Sequence, residues 1–227
     1  MLALKLGMSI GGSNRPMGSW TPSDEGTDLV AWYQNKEGIT EDIGVSAWAD
    51  SSSNSHDMVQ DTDDFQPAYN ASTGALTFDG NDLLVTTSQI ELTGAFTVGL
   101  KLNDTTYENT ILGDNNTANQ LIKYKDSTTL RFKTSSGTAD LALDGGNTFG
   151  DDYIVLTREA APGNNLKLWF NGVEQAATGA KGGSSLIDAI GSRTTSDYFV
   201  GDITEVQIFS STSSDLTTNV NNRLSTL

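Results

Sequence analysis

The stretch that most restricts this chain runs from Tyr153 to Glu174, YIVLTREAAPGNNLKLWFNGVE. Tyr153, Val155 and Thr157 alternate with Ile154, Leu156 and Arg158, the two-residue period of a β-strand. Pro162, Gly163, Asn164 and Asn165 then supply a run of turn formers. Leu166, Leu168 and Phe170 alternate with Lys167, Trp169 and Asn171, which predicts a second strand. It stops at Asn171-Gly172, a pair that readily takes two successive positive φ values and so reverses a chain tightly. Strand, turn, strand, tight turn, strand is a β-meander.

The same grammar extends on both sides. Leu29 to Tyr33 and Val45 to Ala49 read as strands, as do Thr110 to Leu112, Leu121 to Tyr124, Leu130 to Phe132 and Leu141 to Leu143. Asn, Asp, Gly and Ser fill the gaps, the spacing of an antiparallel sandwich. Many short alternating strands must bury two apolar faces against each other. A short helix is expected at the end, capped by Ser214 or Asp215, with Leu216, Val220 and Leu224 four apart on one face. No repeat of fixed period is present.

Residues 1–24 differ from the rest. Leu2, Leu4, Leu6, Met8 and Ile10 form one apolar strand face, followed by a Gly/Ser/Pro connector. Two readings stand: an extra edge strand on the domain, or an arm that adds to a partner's sheet and anchors the domain on a larger assembly. The expected division is an arm over 1–24 and one domain over 25–227.

Four motifs in order carry a family resemblance. Trp48-Ala49-Asp50-Ser51-Ser52-Ser53-Asn54 resembles a W-x-D-x-S-G-N segment, with Ser53 where the glycine usually stands. Phe78-Asp79-Gly80-Asn81-Asp82-Leu83-Leu84 carries an F-D-G-x-D-x-L run. Leu156-Thr157-Arg158 with Leu168-Trp169-Phe170-Asn171-Gly172-Val173 resembles a central hairpin, and Gly201-Asp202-Ile203-Thr204-Glu205-Val206 resembles a closing G-x-I-x-E-V strand. Together they resemble laminin G-like domains of the concanavalin A-like superfamily over about residues 28–227. The resemblance implies an all-β, antiparallel two-sheet jelly roll and a lectin-like role.

Charge narrows the partners. The net charge is −16, from 29 acidic and 13 basic residues. That opposes nucleic acid, where Lys and Arg must displace counterions from phosphates, and disfavours an anionic membrane surface. No apolar run approaches the ~20 residues needed to span a bilayer, and the first residues do not read as a signal peptide. Without cysteine there is neither a disulfide framework nor a thiolate metal site.

Catalytic patterns are missing. Glucanases of the superfamily place two carboxylates on one strand face as E-x-D-x-x-E or E-x-D-x-E, a pair roughly 5 Å apart when retaining. The residue two places after Glu25, Glu37, Glu41, Glu91, Glu108, Glu159, Glu174 and Glu205 is never Asp. His56 is the single histidine and no G-x-S-x-G turn exists for a serine triad. Lys181 in the Gly179–Ser185 run is followed by Gly182, so this is no phosphate loop.

Two ligand classes remain. Calcium wants several hard oxygens from a wrapping loop. Asp79 and Asp82 offer two carboxylates in one turn, and relatives of this type imply one structural calcium ion, to which Asp202 and Glu205 would add. The alternative is that both aspartates cap their own turn. Sugars want exposed aromatic faces with amide and carboxylate neighbours. Tyr107, Asn109, Asp114, Asn115, Asn116, Tyr124 and Tyr198 are the candidates, against a reading in which the tyrosines are half-buried and Trp32, Trp48 and Trp169 are core. The expected function is non-enzymatic recognition or adhesion of glycans. The arm and the Asn/Thr/Ser/Gly-rich composition resemble lectin-like proteins on phage virions, where such a domain decorates capsid or tail. The competing reading is a purely structural virion module docked through residues 1–24.

Overall fold

A computed structural model describes residues 20–104, 106–116, 121–194 and 196–227. The apolar positions Leu2, Leu4, Leu6, Met8 and Ile10 therefore lie outside the described residues. From the N-terminal side the strands are β1 (Leu29–Tyr33), β2 (Ile39–Glu41), β3 (Val45–Trp48), β4 (Met58–Val59), β5 (Ala68–Asn70) and β6 (Ala75–Asp79). Then come β7 (Leu84–Leu92), β8 (Phe96–Asp104), β9 (Thr110–Gly113), β10 (Leu121–Asp126), β11 (Thr129–Thr134) and β12 (Gly137–Ala142). The last are β13 (Asp151–Arg158), β14 (Asn165–Phe170), β15 (Val173–Glu174), β16 (Gly179–Ala180), β17 (Ser185–Ile190) and β18 (Val200–Phe209), followed by helix α1 (Ser214–Leu224).

These build two sheets. The first runs β15-β14-β13-β8-β18-β6-β5, with β1 also on β18 and β16 also on β14; the second runs β12-β11-β10-β9-β17-β7-β4-β3-β2. Both are antiparallel throughout, so the expected two-sheet sandwich with a short C-terminal helix is what the chain forms. The meander behaves as its alternation dictates: Ile154 pairs with Phe170 and Leu156 with Leu168, and all four face the core. Asn171 (φ 48°) and Gly172 (φ 81°) make the tight turn into β15. A slip of one residue would send Leu166, Leu168 and Phe170 to solvent, and each fully buried side chain of this size is worth ~1.5–3 kcal/mol, so the register is strongly specified.

The core between the sheets is closed by Val98, Leu100, Leu102 and Ile203 on one side and Ile122, Leu130, Phe132 and Ile187 on the other. Arg158 ends the L-T-R motif inside it, fully buried. Its guanidinium donates to the carbonyls of Leu92 and Gly183 (both 2.9 Å) and Gly94 (2.8 Å), and lies 4.8 Å from the Phe96 ring centroid. Burial pushes its pKa down, yet the carbonyls keep the cation solvated and tie the Gly-rich segment around Gly183 to the β7–β8 turn.

A second, smaller core lies on the outer face of the first sheet. There Leu216, Val220 and Leu224 of α1 cover Leu29, Trp32, Val155 and Phe209. The helix can sit this close because residue 99 is glycine: a Cβ there would stand 2.5 Å from Val220 Cγ1. A register shift in β18 between Ile203 and Glu205 keeps Ile203 and Val206 inward while turning Glu205 to α1. Arg223 grips that buried carboxylate through Nε (2.5 Å) and Nη2 (2.8 Å) and stacks 4.8 Å over Trp32. The helix starts one residue before the expected cap: Ser213, in an extended conformation, takes the Leu216 N–H on its hydroxyl at 3.0 Å. Ahead of the expected domain boundary, Trp20 packs on Phe209 with ring centroids 6.3 Å apart. Among the described residues no helix is long and apolar enough to cross a membrane.

Candidate functional site

The outward positions of the meander, not its inward ones, make a ligand-like surface. With Leu166, Leu168 and Phe170 committed to the core, Lys167 and Trp169 of β14 face out, beside Tyr153, Val155 and Thr157 of β13. Helix α1 lies over Val155 and leaves Tyr153 and Trp169 half-buried at its flank. The result is a groove with an aromatic floor and a helical wall. One cleft, of about 340 Å³, is lined by Tyr153, Trp169, Gly172, Glu174, Thr217, Thr218, Asn221 and Asn222. A second, of about 310 Å³, continues it past Trp169 to Thr157, Glu159, Lys167 and Ser213.

The wall is rich in acceptors. Thr217 and Thr218 donate their hydroxyl protons to the carbonyls of Ser213 and Ser214 (both 2.8 Å), leaving lone pairs. The Asn221 amide donates its Nδ2 to the Thr217 carbonyl at 2.9 Å, which orients the other end. Its Oδ1 is then a buried acceptor with no hydrogen-bond partner among the described residues, on a side chain only 8% exposed. Such an atom costs ~1–3 kcal/mol until something donates to it. The floor is held by the turn: the Tyr153 N–H donates to Asn171 Oδ1 and the Asn171 N–H to the Tyr153 carbonyl. Lys167 pairs with Glu174 at 2.9 Å, which raises the lysine's pKa through that hydrogen bond.

The sugar-site residues expected from sequence are distributed differently. Tyr124 is a correction: it is fully buried and stacks on Phe149 with centroids 3.7 Å apart, because β10 points it to the core. Tyr107 gives its hydroxyl to the Phe149 carbonyl at 2.9 Å, Asn109 bonds Thr106 at 3.0 Å, and Tyr198 bridges Thr110. Asp114, Asn115 and Asn116 do come together, around Asp188, which receives the Asn115 N–H and the Asn116 amide at 2.5 Å each. Burial first, and the charge of Asp114 among the other causes, raise the Asp188 pKa. The cleft there, of about 460 Å³, is lined by Val85, Thr86, Thr87, Gln89, Asn115, Asn116 and Asp188, with no ring to stack on. Trp169 is half-buried against the outer core rather than in the core between the sheets. Its outward place was readable from the alternation with Leu168 and Phe170; the Asn221 wall was not, because it needs the helix's docking angle.

The four expected calcium ligands do not converge. Asp82 is buried, accepts the Asp79 N–H at 2.8 Å, and its carboxyl is pushed up to about 6, chiefly by burial. Asp79 accepts the Asn81 N–H, and Asp202 takes the Thr77 hydroxyl at 2.6 Å. Glu205 faces α1 instead, its oxygens occupied by Arg223, Trp32 Nε1, the Asn35 N–H and Gln207 Nε2. Among the described residues no three acidic or histidine side chains are placed to hold one metal ion. These residues do not fit calcium as a set.

No family model matches the chain, and no curated protein matches it. Solved structures do. Domain 4 of AbnA, an extracellular GH43 arabinanase from Geobacillus stearothermophilus solved with arabinotriose, aligns with TM-score 0.57 at 18% identity, over 86% of this chain and 98% of that one. Trypanosoma rangeli sialidase aligns with TM-score 0.55 at 13% identity, over 87% of this chain and 32% of that one. A chain of botulinum neurotoxin type C aligns with TM-score 0.52 at 16% identity, over 87% and 51%. At such identities the likeness is one of fold.

Proposed function

We propose that this chain is a non-catalytic recognition module that binds glycans in the groove between α1 and the meander. The observation that carries the reading is the pairing of outward Trp169 and Tyr153 with the Thr217 and Thr218 hydroxyls of α1, whose protons are already given to the helix backbone. An aromatic face takes the apolar side of a sugar ring and a fixed acceptor takes a hydroxyl. The arabinanase domain solved with arabinotriose, and the neurotoxin whose cell entry depends on gangliosides, lend support as sandwiches from sugar-recognising proteins. The Asp114–Asp188 pair does not argue for hydrolysis. Both carboxylates are nearly inaccessible and hold the turn through Asn115 and Asn116. Display on a virion, with residues 1–24 docking on other virion proteins, extends this reading and rests on the sequence resemblance.

A glycan array with the wild type and Trp169→Ala, each with and without EDTA, tests the site. Binding that falls at least tenfold in the variant, ~1.4 kcal/mol, and ignores EDTA is expected. Array silence for the wild type would favour the purely structural alternative. Deleting residues 1–24 tests the arm: a truncated chain that still joins its assembly would remove it from the account.

A further inference from the structure

Resting on the groove as a glycan site, we infer its ligand class: a neutral oligosaccharide of at least two rings, laid along α1, rather than an acidic sugar. The two clefts share Trp169, Glu174, Ser214 and Thr217, so a chain of rings passing Trp169 can enter both. A single ring would leave one cleft unfilled.

The charges point the same way. Glu159 and Glu174 line the groove against one cation, Lys167, which Glu174 already pairs. The N-terminal end of α1 opens on the second cleft, where a helix favours anions. Here Asp215 sits in its first turn and the Ser213 hydroxyl has taken the Leu216 N–H. The net −16 adds a repelling field for any anion. Hydrogen-bond polarity adds to it: the spent hydroxyls of Thr217 and Thr218 offer lone pairs. Sugar hydroxyls can donate to them. A carboxylate or sulfate has only lone pairs to present.

The test is an array of matched pairs, each neutral oligosaccharide beside its sialylated, uronic or sulfated counterpart, followed by calorimetry on mono-, di- and trisaccharides of the best neutral series. Expected are neutral hits, lost in Trp169→Ala and weakened in Thr218→Val, with affinity rising at least tenfold from one ring to two or three. The double variant Glu159→Gln/Glu174→Gln should let the acidic counterparts bind. Trp169-dependent hits that require an acidic group would overturn the ligand class and leave the site standing. Hits indifferent to Trp169 would overturn the site, and an array silent for the wild type would overturn both.

Discussion

Trp169 and Glu205 illustrate how far single residues can be read. Alternation with Leu168 and Phe170 sends Trp169 outward whatever its hydrophobicity suggests. Glu205 obeys no such rule, because an inserted residue in β18 resets the alternation and only the distant Arg223 explains a buried carboxylate. Removing one partner of such a pair strands a charge, at a cost of ~3–5 kcal/mol. Arg223→Ala should therefore lower the melting temperature by on the order of 10 °C in a chain of this length; a shift of a degree or less would mean the pair is not desolvated. Asp82 gives a pH signature. Its carboxyl is raised from 3.8 unfolded to about 6 folded, so the native state holds the extra proton in between. Stability should fall as pH rises through that window and flatten above it. Asp82→Asn, which cannot ionise, should lose that contribution and show a shallower fall when thermal stability is followed between pH 4 and 7.

At the level of elements, the strands were legible because period-2 patterning and Asx/Gly turns are local. The cap of α1 missed by one residue, since Ser213, Ser214 and Asp215 are all competent and only φ/ψ selects among them. What α1 covers was not legible at all: the stripe Leu216, Val220, Leu224 announces a buried face, but not that Thr217 and Asn221 turn to a groove. The helix is wall and lid of that groove, so its seating matters. Gly99→Ala would push a methyl against Val220 and lift α1 from β8. It should destabilise by about 1–3 kcal/mol and weaken glycan binding together. Val220→Ala in the same chain should restore part of both, as measured by denaturant melts and calorimetry. Binding unaffected by Gly99→Ala would separate the helix from the site.

For the whole molecule, the sandwich was written many times over in the sequence, in every alternating segment, and errors in one segment could not unseat it. The site was written once, across Tyr153, Trp169 and Asn221, whose proximity depends on a meander and a terminal helix meeting on one sheet face. Among the expected sugar-site aromatics, Tyr124 sits inside on β10 and Tyr107 is tied to the Phe149 backbone. The most direct measurement is a titration of the ¹⁵N-labelled chain with the best neutral oligosaccharide, followed at the indole N–H signals of its four tryptophans, Trp20, Trp32, Trp48 and Trp169. The Trp169 indole and the Asn221 side-chain amide should shift saturably while buried Trp48 stays put. Saturable shifts confined to Asn109, Asn115, Asn116 and Tyr198, with Trp169 unmoved, would contradict the groove as the place where this protein meets its ligand.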